Sequence, residues 1–169
     1  RWSELVDVLD RLAPLLDSDS ERADLHYRSA LVQIDRFSEA GQGLAELRTA
    51  LELDSRHEQA AAKLEELTAR RDLFEEAAEI LESVYRSLGT VDKLAALGEK
   101  RVEFAETPGE RIEMRKALAR VLEDEMGDAK GAQRVLQQGL KDDPSDPSLL
   151  DDIERFAGLT GDWRGAGNA

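Results

Sequence analysis

The two histidines, His26 and His57, are the first residues to test for chemistry, and the chain has no cysteine. A metal site or a nucleophilic triad needs several ligands that converge from different elements. Neither histidine has a histidine or cysteine companion, and the 37 Asp and Glu residues are too common to single out a partner. We expect His57 to be solvated or to cap a helix, and His26 to lie beside a helix core stripe. The pattern predicts no catalytic or metal-binding role for either.

A run of carboxylates, Asp17, Asp19 and Glu21, partly resembles a calcium-binding loop. An EF-hand loop that began at Asp17 would need Gly at position 22 and Glu at position 28, where this chain has Arg22 and Arg28. We therefore interpret the run as a polar turn that caps a helix. The sequence also has no glycine-rich phosphate loop after a strand and no Gly-x-Ser-x-Gly motif. Together these patterns predict no enzyme, no cofactor and no metal.

The composition predicts helices and limits the partners. Hydrophobic residues make up 41% of the chain, charged residues 36% and aromatic residues only 5%. Ala, Leu, Glu and Arg are good helix formers, and few residues favour strands. The formal net charge is −14. Because phosphate and anionic lipid surfaces attract clustered Lys and Arg, we expect neither a nucleic acid nor a membrane as a partner. The acidity serves solubility and would favour a partner with a basic surface.

The sequence leaves the cellular compartment open. No run of 18 apolar residues predicts a membrane span, and no signal peptide is visible. The chain begins at Arg1, without Met, inside a helical pattern, and we expect it to be a segment of a longer protein. Without a targeting signal the default compartment is the cytoplasm.

Apolar residues at helical spacing predict about nine antiparallel helices joined by short turns. Pro14 is expected to kink or shorten the first helix near Ala13. Ser20 or Asp19 is expected to cap the second helix, and Thr107 with Glu110 to form a capping box. The predicted helices cover about 2–16, 21–37, 44–53, 58–71, 74–88, 91–105, 110–126, 129–141 and 148–159.

An internal repeat with an offset of 89 positions runs through the chain without a gap. It relates similar residues along most of the length, namely Leu5 to Leu94, Glu21-Arg22 to Glu110-Arg111, Ala30 to Ala119, Leu47 to Leu136, Leu51 to Leu140 and Phe74 to Trp163. Such self-similarity is typical of stacked helical hairpins. We predict one domain, 1–163, made of two units at 2–90 and 91–163, with a frayed tail at 164–169. Trp2, Phe74 and Trp163 recur at the start of a helix and are expected to pack in the core.

The clearest hairpin, residues 110–144, and its earlier copy resemble a tetratricopeptide repeat, in the degenerate form found in large bacterial repeat proteins. The small and Leu residues that carry the resemblance are Gly127-Asp128, Ala132, Leu136, Gly139-Leu140 and Asp143-Pro144, then Gly43, Leu47 and Ala50-Leu51, with Leu81, Tyr85 and Gly89. Small residues let the two helices of a hairpin approach closely. The resemblance implies an α-α superhelix, or solenoid. Arg120 and Glu123 depart from the family pattern, as does an odd number of helices per 89 residues.

The resemblance implies a non-catalytic scaffold that binds a peptide or a partner protein on its concave face. Tyr27, Arg28 and Tyr85 are the candidate contact residues, because they lie on helices that could face a groove. The alternative is a structural spacer within a larger repeat protein, without a ligand of its own. An all-α enzyme is the third hypothesis, and no convergent site supports it. We expect a monomer, or a weak homodimer formed through the exposed ends of the solenoid.

Overall fold

The protein is all-α, as predicted. The computed structural model describes residues 2–163, so the predicted tail at 164–169 lies outside the described residues. Within 2–163 there are nine α-helices and no strand. In chain order, α1 to α9 cover Trp2–Leu12, Asp19–Val32, Ala40–Leu53, Glu58–Leu67, Phe74–Leu88, Val91–Phe104, Pro108–Arg120, Ala129–Gly139 and Pro147–Thr160.

The chain divides into two compact units, Arg1–Leu88 and Gly89–Ala169. In unit 1, each of the helices α1 to α5 packs against the next along the chain, and α3 also contacts α5. In unit 2, α6 to α9 pack in the same consecutive manner. Consecutive packing through short connections is compatible with a solenoid.

The helices of unit 2 begin in the same register as those of unit 1. Helices α1, α2, α3 and α4 start at positions 2, 19, 40 and 58, and α6, α7, α8 and α9 start at 91, 108, 129 and 147. Each of the four helices of unit 2 therefore begins 89 residues after its counterpart in unit 1. Helix α5, which begins at Phe74, has no counterpart among the described residues of unit 2.

Side-chain caps fix the starts of several helices. The hydroxyl of Ser18 accepts a hydrogen bond from the Glu21 N–H, so the expected cap at Ser20 or Asp19 was wrong. Thr107 forms the predicted capping box with Glu110. The backbone N–H groups of Glu106 and Thr107 donate to the Glu110 carboxylate and lower its pKa. An Asn, Asp, Ser or Thr cap satisfies N–H groups that the helix itself leaves unpaired.

The second helix of each unit ends in a wide π-helical turn, over Gln33–Phe37 after α2 and Val121–Glu125 after α7. A residue with positive φ follows each turn, Ser38 at 58° in unit 1 and Gly127 at 66° in unit 2. This backbone conformation favours glycine, so Ser38 adopts it at a cost. Pro14 lies in a single 3₁₀ turn, Ala13–Leu15, that ends α1 as predicted.

Large and small side chains are exchanged at equivalent helix crossings of the two units. In unit 2, α6 places Gly98 against Leu118, and a Cβ on Gly98 would lie 2.9 Å from Leu118 Cδ1. The equivalent positions of unit 1 hold Leu9 and Ser29, which are 6% and 1% exposed. The buried Ser29 hydroxyl has no hydrogen-bond partner in residues 2–163. Its small size, rather than its polarity, therefore explains its presence beneath α1.

A second crossing shows the same dependence on a small residue. In unit 2, Gly139 lies against Leu149, and a Cβ on Gly139 would come within 2.9 Å of Leu149 Cδ2. The equivalent residues of unit 1 are both alanine, Ala50 and Ala60, and both are fully buried. The two units therefore achieve this close crossing differently, with glycine against leucine in unit 2 and two alanines in unit 1.

The expectation that three aromatic residues pack in the core holds only for Phe74, which is 2% exposed. Trp2 is 46% exposed and Trp163 is 59% exposed. Phe74 begins α5, whereas Trp2 is the first described residue of α1 and Trp163 follows the end of α9. Trp2 and Phe74 each begin a helix as expected, whereas Trp163 lies outside the described helices, and recurrence in the sequence did not predict the exposure of Trp2 and Trp163.

The exchange at the α6–α7 crossing predicts a compensating pair of substitutions. Gly98→Leu alone should overfill the crossing and destabilise the protein by about 1–3 kcal/mol. Leu118→Ser alone should leave a cavity and cost roughly 2–5 kcal/mol. The double variant reproduces the pair of unit 1, so its cost in urea-unfolding free energy should be smaller than the sum by at least about 1 kcal/mol.

The matched control combines Gly98→Leu with Leu136→Ala, because Leu136 is buried on α8 and is not the residue that Gly98 meets. That pair should be additive. Equal coupling in both double variants would show that the exchange of volume between Gly98 and Leu118 does not determine the packing.

Candidate functional site

The three candidate contact residues do not form one site. Tyr27 and Arg28 are neighbours on α2, where Tyr27 is half-buried and Arg28 is exposed. Tyr85 lies on α5 and is 5% exposed. Tyr27 contacts His57, at the start of α4, whereas the Tyr85 hydroxyl bonds Glu65, in its last turn. The structure therefore brings Tyr27 and Tyr85 to opposite ends of α4.

Tyr85 is held as a packing residue. Its hydroxyl donates to Glu65 Oε1 at 2.7 Å, and its ring is buried within unit 1. Burial raises the pKa of Tyr85 well above the ordinary tyrosine value, and the hydrogen bond to the Glu65 carboxylate adds to that effect. A buried ring with a committed hydroxyl has little surface to offer a partner. The position of Tyr85 supports a structural role more strongly than a direct contact.

His57 caps α4 in place of the usual Asp or Ser. Its Nδ1 accepts a hydrogen bond from the Ala60 N–H at 3.1 Å, so this nitrogen carries no proton. Its Nε2 must then carry the proton and donates to Asp24 Oδ1 at 3.0 Å. The Tyr27 ring lies 5.2 Å from the imidazole, centroid to centroid. His57 thus joins α2 to the first turn of α4, and its equivalent in unit 2, Asp146, is an ordinary cap.

His26 also makes a contact between helices. Its Nδ1 lies 2.7 Å from Glu46 Oε2, which joins α2 to α3. No group of three or more His, Cys, Asp or Glu in residues 2–163 could hold a metal ion. Both histidines are therefore engaged in contacts that hold unit 1 together.

None of the helices described in residues 2–163 is both long and apolar enough to cross a membrane.

Unit 1 contains a groove of about 300 Å³ between α3 and α5. Its floor is apolar, because Leu51, Ile80 and Val84 are 3%, 4% and 7% exposed. Its walls are polar, with residues spaced three or four apart along α5 on one side and along α3 and the turn that follows it on the other. These wall residues are Arg48, Glu52 and Ser55 on one side, with Glu79, Ser83 and Ser87 on the other.

The groove combines carboxylates, hydroxyls and an apolar floor. Glu52 and Glu79 are exposed and lie on opposite walls, and one guanidinium, that of Arg48, accompanies them. The Ser87 hydroxyl donates to the Val84 carbonyl at 2.8 Å, so its lone pairs remain as acceptors towards the groove. Polar walls over an apolar floor can bind a peptide through its backbone and one or two side chains.

Sequence reasoning did not find this groove because its walls come from helices that are not consecutive. Short connections predict that α3 packs on α4 and α4 on α5, but not that α3 also meets α5. The residues themselves gave a weak signal, since Glu79, Ser83 and Ser87 form a polar row beside the apolar stripe of α5. Such a row is equally typical of a solvated helix face.

Glu123, one of the two departures from the tetratricopeptide pattern, forms an ion pair within unit 2. Its two carboxylate oxygens accept from Arg155 of α9 at 2.7 and 2.9 Å. These hydrogen bonds lower the pKa of Glu123 and raise that of Arg155. A charged residue at this position therefore joins the π-helical turn after α7 to α9, where the family pattern would place an aromatic residue in the core.

The chain matches no family model and no curated protein.

The dual role of His57 predicts a graded effect of substitution. His57→Ala removes the acceptor for the Ala60 N–H and the donor to Asp24, and should cost about 1–2 kcal/mol of unfolding free energy. His57→Asn keeps a capping oxygen and should cost less. Urea unfolding of both variants measures the difference, and Asp146→Ala with Asp146→Asn gives the matched pair at the equivalent cap of unit 2. Equal losses for Ala and Asn at position 57 would contradict a capping role.

Tyr85→Phe separates packing from partner contact. The ring stays in place and the hydrogen bond to Glu65 is lost, so we expect a loss of about 1 kcal/mol in stability. Any peptide affinity of the protein should stay unchanged. Spectrophotometric titration of the wild type should show one tyrosine that ionises at an unusually high pH, and this signal should be absent from the variant. A fall in peptide affinity without a fall in stability would restore Tyr85 as a contact residue.

Proposed function

We propose that the protein is a non-catalytic interaction scaffold, built from tetratricopeptide-like helical hairpins, that binds an extended peptide or a segment of a partner protein. The observation that carries the proposal is the groove between α3 and α5, with its apolar floor and polar walls. A cleft of about 300 Å³ lies at the lower end of the range for ligand sites in proteins. It suits a few residues of a peptide.

The charges of the groove favour a basic side chain in the peptide. Glu52 and Glu79 supply two carboxylates against the single guanidinium of Arg48, and the whole chain carries a formal net charge of −14. A Lys or Arg of the peptide would lie between the carboxylates, while an apolar neighbour would contact Ile80 and Val84. Because much of this attraction is between exposed charges, binding should weaken with salt.

The resemblance to tetratricopeptide repeats rests on where the helices begin and how closely they cross, and not on chemically reactive side chains. Helices begin at the same positions in the two 89-residue units, and small residues such as Gly98 and Gly139 allow close crossings. A scaffold of this kind presents side chains from several helices on a shared surface. The engagement of His26 and His57 in interhelical contacts supports a non-catalytic role.

A selection of displayed random heptapeptides on the intact chain tests the proposal. We expect peptides that carry Lys or Arg next to an apolar residue to be enriched. The double variant Glu52→Gln/Glu79→Gln should lower the affinity of such peptides by roughly tenfold, equal to about 1.4 kcal/mol. Fluorescence anisotropy at two salt concentrations measures both the affinity and its salt dependence.

The matched control is Glu39→Gln/Glu76→Gln, which removes the same charge from two exposed residues outside the groove. Its peptide affinity should stay close to that of the wild type. Equal losses in both variants would mean that only the net charge matters. No enrichment of any peptide would favour the alternative, a structural spacer within a larger repeat protein.

A further inference from the structure

The three charged side chains that line the groove between α3 and α5 have no partner among residues 2–163. Arg48, Glu52 and Glu79 are exposed, and none of them forms a side-chain hydrogen bond or an ion pair with another residue in that range. The groove therefore presents both signs of charge to a ligand, and the described part of the chain uses neither.

The order of the charges on α3 disfavours a pair between Arg48 and Glu52. The two residues are four apart, and such a pair on a helix is weaker when the cation precedes the carboxylate. Helix α5 has the opposite order at the same spacing, and there the Arg86 guanidinium donates to Glu82 Oε1 at 3.0 Å. The Arg48 guanidinium thus keeps its donors for a carboxylate that comes from outside the chain.

Arg48 and Glu52 lie side by side on the α3 wall of the groove. A helix rises by about 6 Å over four residues. In an extended peptide, residues two apart point to the same side and lie about 6.6–6.8 Å apart. Residues one or three apart point to opposite sides of such a peptide, and residues four apart are separated by about 13 Å. A spacing of two is therefore the one that matches these charges.

We infer that the groove recognises an internal peptide segment in which an acidic and a basic residue flank one apolar residue. The inference rests on the proposed function of the groove and adds the acidic residue and the spacing. The acidic side chain pairs with Arg48, and the basic side chain pairs with Glu52 and Glu79. The apolar side chain points the other way, as alternate residues of an extended peptide do, and faces the floor at Ile80 and Val84.

Arg48 is the residue that sets this specificity. A guanidinium binds a carboxylate through two parallel hydrogen bonds, which gives the contact a defined geometry. The same guanidinium disfavours a second basic residue at its end of the peptide, because like charges in contact are unfavourable. A segment of mixed charge is therefore preferred over a purely basic one, although the whole chain carries a formal net charge of −14.

Fluorescence anisotropy of heptapeptides on the intact chain tests the inference. Each peptide carries an uncharged fluorophore at the N-terminus and an amide at the C-terminus, so that only side chains supply charge. The central residues are Glu-Leu-Lys or Lys-Leu-Glu, since either direction of the peptide satisfies the charges. The comparison peptides carry Gln in place of Glu. We expect the better of the two mixed-charge peptides to bind roughly threefold more tightly than its Gln counterpart.

The decisive variant is Arg48→Gln. The affinity of the better mixed-charge peptide should fall roughly threefold. The affinity of its Gln counterpart should stay the same or rise, because a charge of the same sign as its Lys is removed. Arg48 is exposed, so circular dichroism and thermal unfolding should remain close to those of the wild type. An unchanged ratio of the two affinities in Arg48→Gln would overturn the inference.

The matched control is Arg11→Gln, which removes the same charge from an exposed residue of α1 outside the groove. The ratio of the two affinities should stay as in the wild type. An equal fall of this ratio in both variants would show that Arg48 has no specific role and would overturn the inference.

Moving the acidic residue tests the spacing. Peptides whose acidic and basic residues are adjacent, or four apart, should bind no better than the Gln peptides, and tighter binding of either would overturn the extended register. Binding of a Gln peptide that Glu52→Gln/Glu79→Gln weakens, without any gain from an acidic residue, would overturn the inference and leave the proposed peptide site intact. A lack of binding by every peptide would overturn both.

Discussion

The close approach of neighbouring helices is the constraint on which the rest of the structure depends. At the α1–α2 and α6–α7 crossings, one helix presents a glycine or serine where the other presents a leucine. The small residue lies on α2 in unit 1, as Ser29, and on α6 in unit 2, as Gly98, so the two units place it on different helices of the equivalent pair. A small residue on one helix leaves room for a leucine on the other, whichever of the two helices carries it. The two units can therefore differ in sequence while their helices begin in the same register.

The remaining features follow from this packing. Once α3 and α5 are held against α4, the polar rows on α3 and α5 become the two walls of a groove over Leu51, Ile80 and Val84. Polar contacts then hold particular side chains in positions that apolar packing does not determine. Glu46 holds His26, Glu65 holds Tyr85 and Arg155 holds Glu123. Each of these contacts joins two different elements of one unit, and an exposed ion pair such as that of Arg155 contributes less than about 1 kcal/mol.

Most of the fold could be predicted from the sequence, because the helical period and the 89-residue offset are local signals. The positions of α5, α6 and α8 and the capping box at Thr107 needed no tertiary information. The candidate site could not be predicted in the same way. The sequence places Tyr27 and Tyr85 on helices that could face a groove. Only the packing of the helices shows that Tyr85 is buried. The exposure of Trp2 and Trp163 is also a tertiary property, since recurrence in a repeat does not specify what covers a residue. Peptide binding by the chain stays a prediction.

The two hydrogen bonds of His57 also restrict the tautomer and the orientation of its imidazole ring. Because Nδ1 accepts from Ala60 and Nε2–H donates to Asp24, the ring is confined to one tautomer and one orientation. A free imidazole in water exchanges between tautomers, so any opening of α2 from α4 would release that restriction. The nitrogen signals of this side chain, observed in protein enriched in nitrogen-15, can therefore report local opening in unit 1 without a substitution. Unit 2, with Asp146 at the equivalent position, contains no such reporter at that cap.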